Sequence, residues 1–376
     1  MNRRGMAGVR AALVGLVIAL ACLLPSAAAA SEPVFYELPV GVHAYSMTPG
    51  PEGKIWFTGR EANNGASERV PVIGSVDDGG KVELVELPGD LYTRQIAAGP
   101  DGNLWVAANL YNEKGFLVPR IGRLTPGGAF TEFVPANHVG GVNSIAAGPD
   151  GAIWFTLVYW VNGRKRDAIG RIDTSGAIVQ YPLPFRSGPG QIVPGPDGNL
   201  WFTEAGGGVP KIGRITPTGQ LTQFRLPNRH RRLNSIAAGP DGNLWFGQFS
   251  TSYSRRAKSS IGRITPAGRF ARFRVPGRAG SYGVTAGPDK VWFESPLREG
   301  GMGLGSTSTD GSVAPPACLK PRPCEVDADA LTVDPVGRLW FSMSKYYSHG
   351  GGGGTGLYEG IMEEQEAGFV GFFPAD

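Results

Sequence analysis

The sequence predicts an all-β chain, a seven-bladed β-propeller of four-stranded antiparallel blades closed by an N-terminal strand. Three observations carry that prediction. Tryptophan recurs at Trp56, Trp105, Trp154, Trp201, Trp245, Trp292 and Trp340, at spacings of 49, 49, 47, 44, 47 and 48 residues. A period of this size marks repeated supersecondary units that bury their apolar faces only by stacking. Around each tryptophan the apolar residues come in succession, as in Leu244-Trp245-Phe246, where a sheet with one wet face would alternate. Both faces of each sheet are therefore covered, as they are when sheets stand around a common axis. The composition agrees. With 58 Gly and 31 Pro but only 18% charged residues, the chain is suited to many short strands joined by turns.

The first 30 residues read as a secretory signal peptide. Arg3, Arg4 and Arg10 supply the positive region, Ala11–Leu24 the apolar region, and Ala28-Ala29-Ala30 a small-residue cleavage site. Residues 31–376 then form a single propeller domain, expected to be secreted and monomeric, with no membrane attachment after cleavage. Removing the segment takes away three arginines and no acid, leaving 33 Lys+Arg against 32 Asp+Glu. So small an imbalance does not indicate a nucleic-acid binder.

Within each repeat four strands can be traced. In the fifth, strand a is Asn234–Ala238, and Gly239-Pro240-Asp241-Gly242 turns the chain with Pro and Gly at the positions a tight turn favours. Strand b is Asn243–Phe246. Strand c is Ile261-Gly-Arg-Ile264, a phrase repeated from Ile121, Ile169 and Ile212. Thr265-Pro-Ala-Gly268 leads to strand d, Phe270–Val275, which Pro276 ends. Repeats 6 and 7 are degenerate. Phe35–Pro39 is expected to supply the outermost strand of the seventh blade. Gly368–Pro374 resembles the same strand, and the sequence leaves the choice open. The repeated Arg123, Arg171, Arg214 and Arg263 fall at one position of strand c, which predicts structural pairing.

The a–b and c–d turns are short and nearly constant, and antiparallel connectivity places them on one face. The b–c loops and d–a connections, which vary, share the other face, where binding normally resides. All four histidines fall there: His43, His138, His230 and His349. Basic clusters do too, including Arg231-Arg232, so a cell-wall polyanion, a small molecule or a protein is the expected class of partner. Cys318 and Cys324 sit in a Pro-rich stretch, read as a loop. In an oxidising compartment they are expected to form a local disulfide.

The phrase Ile192-x-x-Gly-Pro-Asp-Gly-Asn-Leu-Trp-Phe-Thr-Glu204, followed by Ile212-Gly-Arg-Ile-Thr-Pro-x-Gly-x-Leu-Thr-x-Phe-x-Leu-Pro227, resembles the virginiamycin B lyase (streptogramin lyase) family. The resemblance extends over roughly 34–345 and is strongest over 191–227. It implies a seven-bladed propeller. It also implies an elimination that opens a cyclic depsipeptide antibiotic at its ester, using a general-base His, a Glu and Mg2+. In that family the His lies two positions before the central residue of strand a, and the Glu three after the strand b tryptophan. Here the first position holds Tyr45, Arg94, Asn143, Gly190, Asn234, Tyr282 and Asp329. The second holds Gly59, Ala108, Leu157, Glu204, Gln248, Ser295 and Met343. The His–Glu pair is absent from every blade, so the aligned positions supply neither a base in reach of the proton nor a group to hold the enolate.

The expected function is therefore ligand or partner binding on the loop face and channel mouth, through Tyr45, Arg94, Asn143, Asn234, Gln248, Tyr282 and Asp329. Two alternatives stand beside it. One is an active Mg2+-dependent streptogramin B-type C–O lyase with a displaced base, with Glu204 as the catalytic candidate and His43 or His230 as base. The other is a metal-dependent lactone hydrolase. No cofactor is certain, and Mg2+ enters only with lyase-like chemistry.

Overall fold

A computed structural model describes residues 34–39, 41–62, 69–135, 139–227, 231–250, 260–276, 283–297, 302–318, 326–345 and 367–373. The expected signal peptide lies outside them.

Seven four-stranded antiparallel sheets stand in a ring. Blade 4 shows the plan, with strand a Pro189–Pro194, b Leu200–Glu204, c Lys211–Ile215 and d Leu221–Arg225 paired in that order. The inner strands a touch one another in cyclic order, and the last, Val326–Val333, meets the first, Val42–Pro49. Seven apolar clusters hold the ring, each shared by two neighbouring blades. Trp201 of blade 4 packs with Ile236 and Phe246 of blade 5, and Trp154 of blade 3 with Ile192 and Phe202 of blade 4. Successive Trp and Phe on strand b thus serve opposite interfaces, which is why the apolar residues do not alternate with polar ones.

The Ile-Gly-Arg phrase has a steric and an electrostatic part. A Cβ on Gly213 would lie 2.2 Å from Cζ of Phe202, so the glycine is the floor on which the Phe ring rests. The arginines are structural, as their register predicts. Arg214 lies 5.5 Å from the Trp201 ring centroid, and its Nη1 donates to the Pro266 carbonyl of the next blade at 3.0 Å. The Trp201 indole stacks on Phe224 of strand d at 5.4 Å, and its Nε1 donates to Asp197 of the a–b turn at 2.8 Å.

The ring closes within blade 7 in a way that gives both chain ends a place. Its strands are Val326–Val333, Leu339–Lys345, Ala367–Phe373 and Val34–Glu37, in that order from the axis. The N-terminal segment is the outermost strand, as expected. The C-terminal segment is not its rival but strand c, inserted between strands b and d. Its Gly371 lies against Phe341 as Gly213 does against Phe202, which is the physical reason it pairs there.

One sequence expectation needs correction in blade 6. Val313–Cys318, read in part as a Pro-rich loop, forms strand d. Pro315 and Pro316 are tolerated there because the ladder to strand c is irregular over them, passing from Ala314 opposite Ser306 to Ala317 opposite Leu304, on an edge strand. The expected disulfide falls on Cys324, outside the described residues. No helix among the described residues is long and apolar enough to cross a membrane.

Candidate functional site at the mouth of the channel

The position aligned with the family's general base is a β-bulge. The a–b ladder slips by one residue at Tyr45, at Asn143 and at Asp329. It is irregular over Arg94-Gln95, Gly190-Gln191 and Asn234-Ser235. A bulge leaves its extra residue out of the pairing and re-aims the side chain. Here the re-aimed residues are Tyr45, Arg94, Asn143, Gly190 and Asn234, and all five line a cavity of about 740 Å³ on the ring axis.

The bulges also free backbone donors, and a hoop of side chains captures them. The N–H of Ile145 donates to Gln95 Oε1 at 3.1 Å, that of Ile192 to Ser144 Oγ at 2.9 Å, and that of Ile236 to Gln191 Oε1 at 2.8 Å. Ser144 Oγ in turn donates to Gln95 Oε1. Each bond passes from one blade to the next. Buried donors left without such partners would each cost about 1–3 kcal/mol. The mouth is thus a rigid polar collar with the bulged side chains set upon it.

Not every sequence candidate reaches this collar. Glu204 is wholly buried and does not line the cavity. Gln223 Nε2 donates to both its carboxylate oxygens at 2.8 Å, and Lys211 Nζ lies at 3.5 Å. Burial pushes its carboxyl above the ordinary range, against the pull of Gln223 and Lys211. Gln248, 6% exposed, takes a 3.3 Å bond from Ser260 Oγ and also lies away from the cavity. His43 is buried on strand a, two residues before the bulge, and is not a lining residue. His230 and Tyr282 lie outside the described residues, and of Asp329 only the backbone is described.

The sequence reading missed the collar residues Gln95, Ser144 and Gln191, and it missed a charged lining residue. Glu294, two residues after Trp292, is 5% exposed and borders the cavity, where it accepts from the Gly283 N–H at 3.1 Å. The same register elsewhere holds Thr58, Ala107, Thr156, Thr203, Gly247 and Ser342. A carboxylate among small and hydroxyl residues was the available signal.

Among the described residues the channel mouth presents no magnesium donor set. Glu294 is the only carboxylate lining it among the described residues, and Met302, Ala330 and Leu331 stand among its other lining residues. Nor do three or more His, Cys, Asp or Glu cluster anywhere among the described residues. Hard cations take several oxygen ligands at once.

Beside the axis the loop face opens into two further recesses. One, about 480 Å³, is lined by Tyr45, Arg60, Tyr92, Thr93, Arg94 and Asn143. The other, about 580 Å³, runs between blades 2 and 3 past Tyr111, Phe116 and Trp160. Arg94 and Asn143 border all three spaces.

Solved structures share this architecture over most of the chain. A streptogramin B lyase structure is 26% identical, with 90% of this chain and 98% of that one covered at a TM-score of 0.64. A catalytically inactive His-to-Ala variant of virginiamycin B lyase from Staphylococcus aureus, with quinupristin, is 27% identical over 90% of this chain and 99% of that one, at 0.65. This chain is a structural relative of virginiamycin B lyase. The selenomethionine form of the Staphylococcus aureus lyase matches at 27% identity over 90% and 99%, at 0.64. No protein-family model and no curated protein sequence matches the chain. The virginiamycin B lyase resemblance seen in the repeat phrases thus holds for the whole ring.

Proposed function

We propose that this chain is an exported propeller that binds a ligand or partner at its loop face and channel mouth, without lyase turnover. One observation carries the reading. The bulge positions that line the cavity hold Tyr45, Arg94, Asn143, Gly190 and Asn234, none of them the histidine that the family resemblance implies as base, and the lining carboxylate Glu294 is engaged by the Gly283 N–H. The virginiamycin B lyase variant lacking one histidine is catalytically inactive. Glu204, the one residue that matches the family's Glu position, is buried against Gln223 and Lys211. What remains is a scaffold with a preformed polar cavity and apolar flanks, the composition of a small-molecule site. Export is proposed from the pattern of residues 1–30.

The test is incubation of the purified chain with Mg2+ and a streptogramin B, followed by mass spectrometry. The intact macrocycle is expected to persist. Appearance of the linear product, lost on Glu204→Ala, would overturn the reading. A polyanionic cell-wall partner predicts in addition that retention on isolated walls weakens with added salt.

A further inference from the structure

Arg60 and Arg94 come from neighbouring blades and converge on one ring. Their guanidinium carbons lie 4.7 and 5.4 Å from the centroid of Tyr92. Neither forms an ion pair with a described residue, and among the described residues no carboxylate lines the recess that contains them. Two cations held together without a counter-charge repel, and stacking on an aromatic face fixes them while leaving their N–H edges to donate. A second, independent feature lies in the same wall. Thr93 is 4% exposed, lines the recess, and its hydroxyl has no hydrogen-bond partner among the described residues. Buried hydroxyls are almost always bonded, and one that is not signals a missing partner.

We infer that the recess of Arg60, Tyr92, Thr93 and Arg94 is an oxyanion site that takes the carboxylate or phosphate of a ligand whose flat apolar body lies in the adjoining groove. The assignment rests on the ligand-binding reading given above. Arg94 borders both spaces, so a group held there continues directly into the groove. The groove's side chains are suited to a ring. Tyr111, Phe116 and Trp160 are 52%, 53% and 43% exposed, an aromatic surface left about half open. Planar forks on the two arginines match an oxyanion by paired N–H···O bonds, and the Thr93 hydroxyl supplies one more donor.

Calorimetric titration with 2-naphthoate, its neutral amide 2-naphthamide, and inorganic phosphate tests this. Naphthoate is expected to bind at least tenfold more tightly than the amide and to be displaced by phosphate. Arg60→Met and Arg94→Met should each weaken naphthoate about tenfold with an unchanged melting temperature. Trp160→Ala should weaken naphthoate and leave phosphate unaffected, which separates the groove from the anion site. Equal affinity for acid and amide, or no binding of naphthoate and phosphate by the intact protein, would overturn the assignment. If naphthoate binding survives both arginine variants but falls on Asn234→Ala, the channel mouth is the binding site. This anion site is then wrong while the broader reading stands.

Discussion

Arg338 and Asp78, 260 positions apart in sequence, meet across the seam of the ring, with Arg338 Nη2 lying 2.6 Å from Asp78 Oδ1. The same guanidinium donates through Nε to Asp334 at 2.6 Å and lies 5.5 Å from the Trp340 ring centroid. Arg338 therefore does at the seam what the strand c arginines do elsewhere, although it comes from the a–b turn. Strand c of blade 7 carries Phe372 opposite Trp340, where blade 4 carries Arg214 opposite Trp201.

The two partners of Arg338 are unequal, and this orders the expected costs. The Asp334 side chain is 4% exposed and Asp78 is 66% exposed. Asp78→Ala should cost under about 1 kcal/mol, as exposed pairs do. Arg338→Ala leaves a buried carboxylate short of a partner and removes the guanidinium from the aromatic face, so about 2–4 kcal/mol is expected. Urea unfolding midpoints at constant slope measure both. Equal costs would show that Asp334 does not need the arginine.

At the blade interfaces, Gly213→Ala is expected to destabilise by about 1–3 kcal/mol through overpacking against the Phe202 ring. Trp201→Ala should cost more, about 3–5 kcal/mol, because it empties the contact between blades 4 and 5. The alanine at 213 should be partly rescued by Phe202→Leu, which withdraws the ring edge. Additive losses in that double variant would place the strain elsewhere.

Much of the ring was legible because its interfaces are built from a fixed local phrase. Trp and Phe of strand b and Gly of strand c meet within one hairpin, so spacing alone predicts the contact. The end of the chain was harder. Gly371 keeps the steric half of the Ile-Gly-Arg phrase, but the arginine half moved to Arg338, and the segment consequently resembled strand d.

The site was legible in register but not in burial. The bulge positions were picked out by alignment, whereas the slip that aims Tyr45 and Asn143 inward is a property of the ladder. Glu204 matches the family's Glu position in register, but its burial was not legible because the partner that encloses it, Gln223, is 19 positions away on another strand. Arg94 was picked out by its register, but Arg60 gave no signal, since the two become neighbours only when blades 1 and 2 stack.

The turn aspartates predict the acid limb of stability. Burial works to raise the Asp197 carboxyl, but hydrogen bonds from Trp201 and Asn199 outweigh it and hold it below the ordinary range. Asp101, Asp150, Asp241 and Asp334 are lowered in the same way. A carboxyl lowered by folding contributes stability above its unfolded value of about 3.9, and that contribution is lost as pH falls through the lower folded value. Melting temperature should therefore drop steeply below about pH 4. Asp197→Asn should make that drop shallower while lowering stability at pH 7 by about 1–2 kcal/mol. An unchanged acid limb in the variant would count against the turn as its source.

Glu204 should behave with the opposite sign. Burial raises its folded value above the unfolded one of about 4.3. Its contribution is then most favourable below the unfolded value and is lost as pH rises through the folded one. At neutral pH the buried charge is a burden only partly offset by Gln223 and Lys211. Glu204→Gln keeps the shape and removes the charge, so it should match or exceed the native protein at pH 7 and lack the native loss of stability on the way up from pH 4. Glu204→Ala instead leaves Gln223 and Lys211 without their acceptor and should cost about 1–3 kcal/mol. Neither change should alter ligand affinity at the channel mouth, because the residue does not border it. A Gln variant that folds normally, melts as expected and yet loses ligand binding would return Glu204 to the functional site.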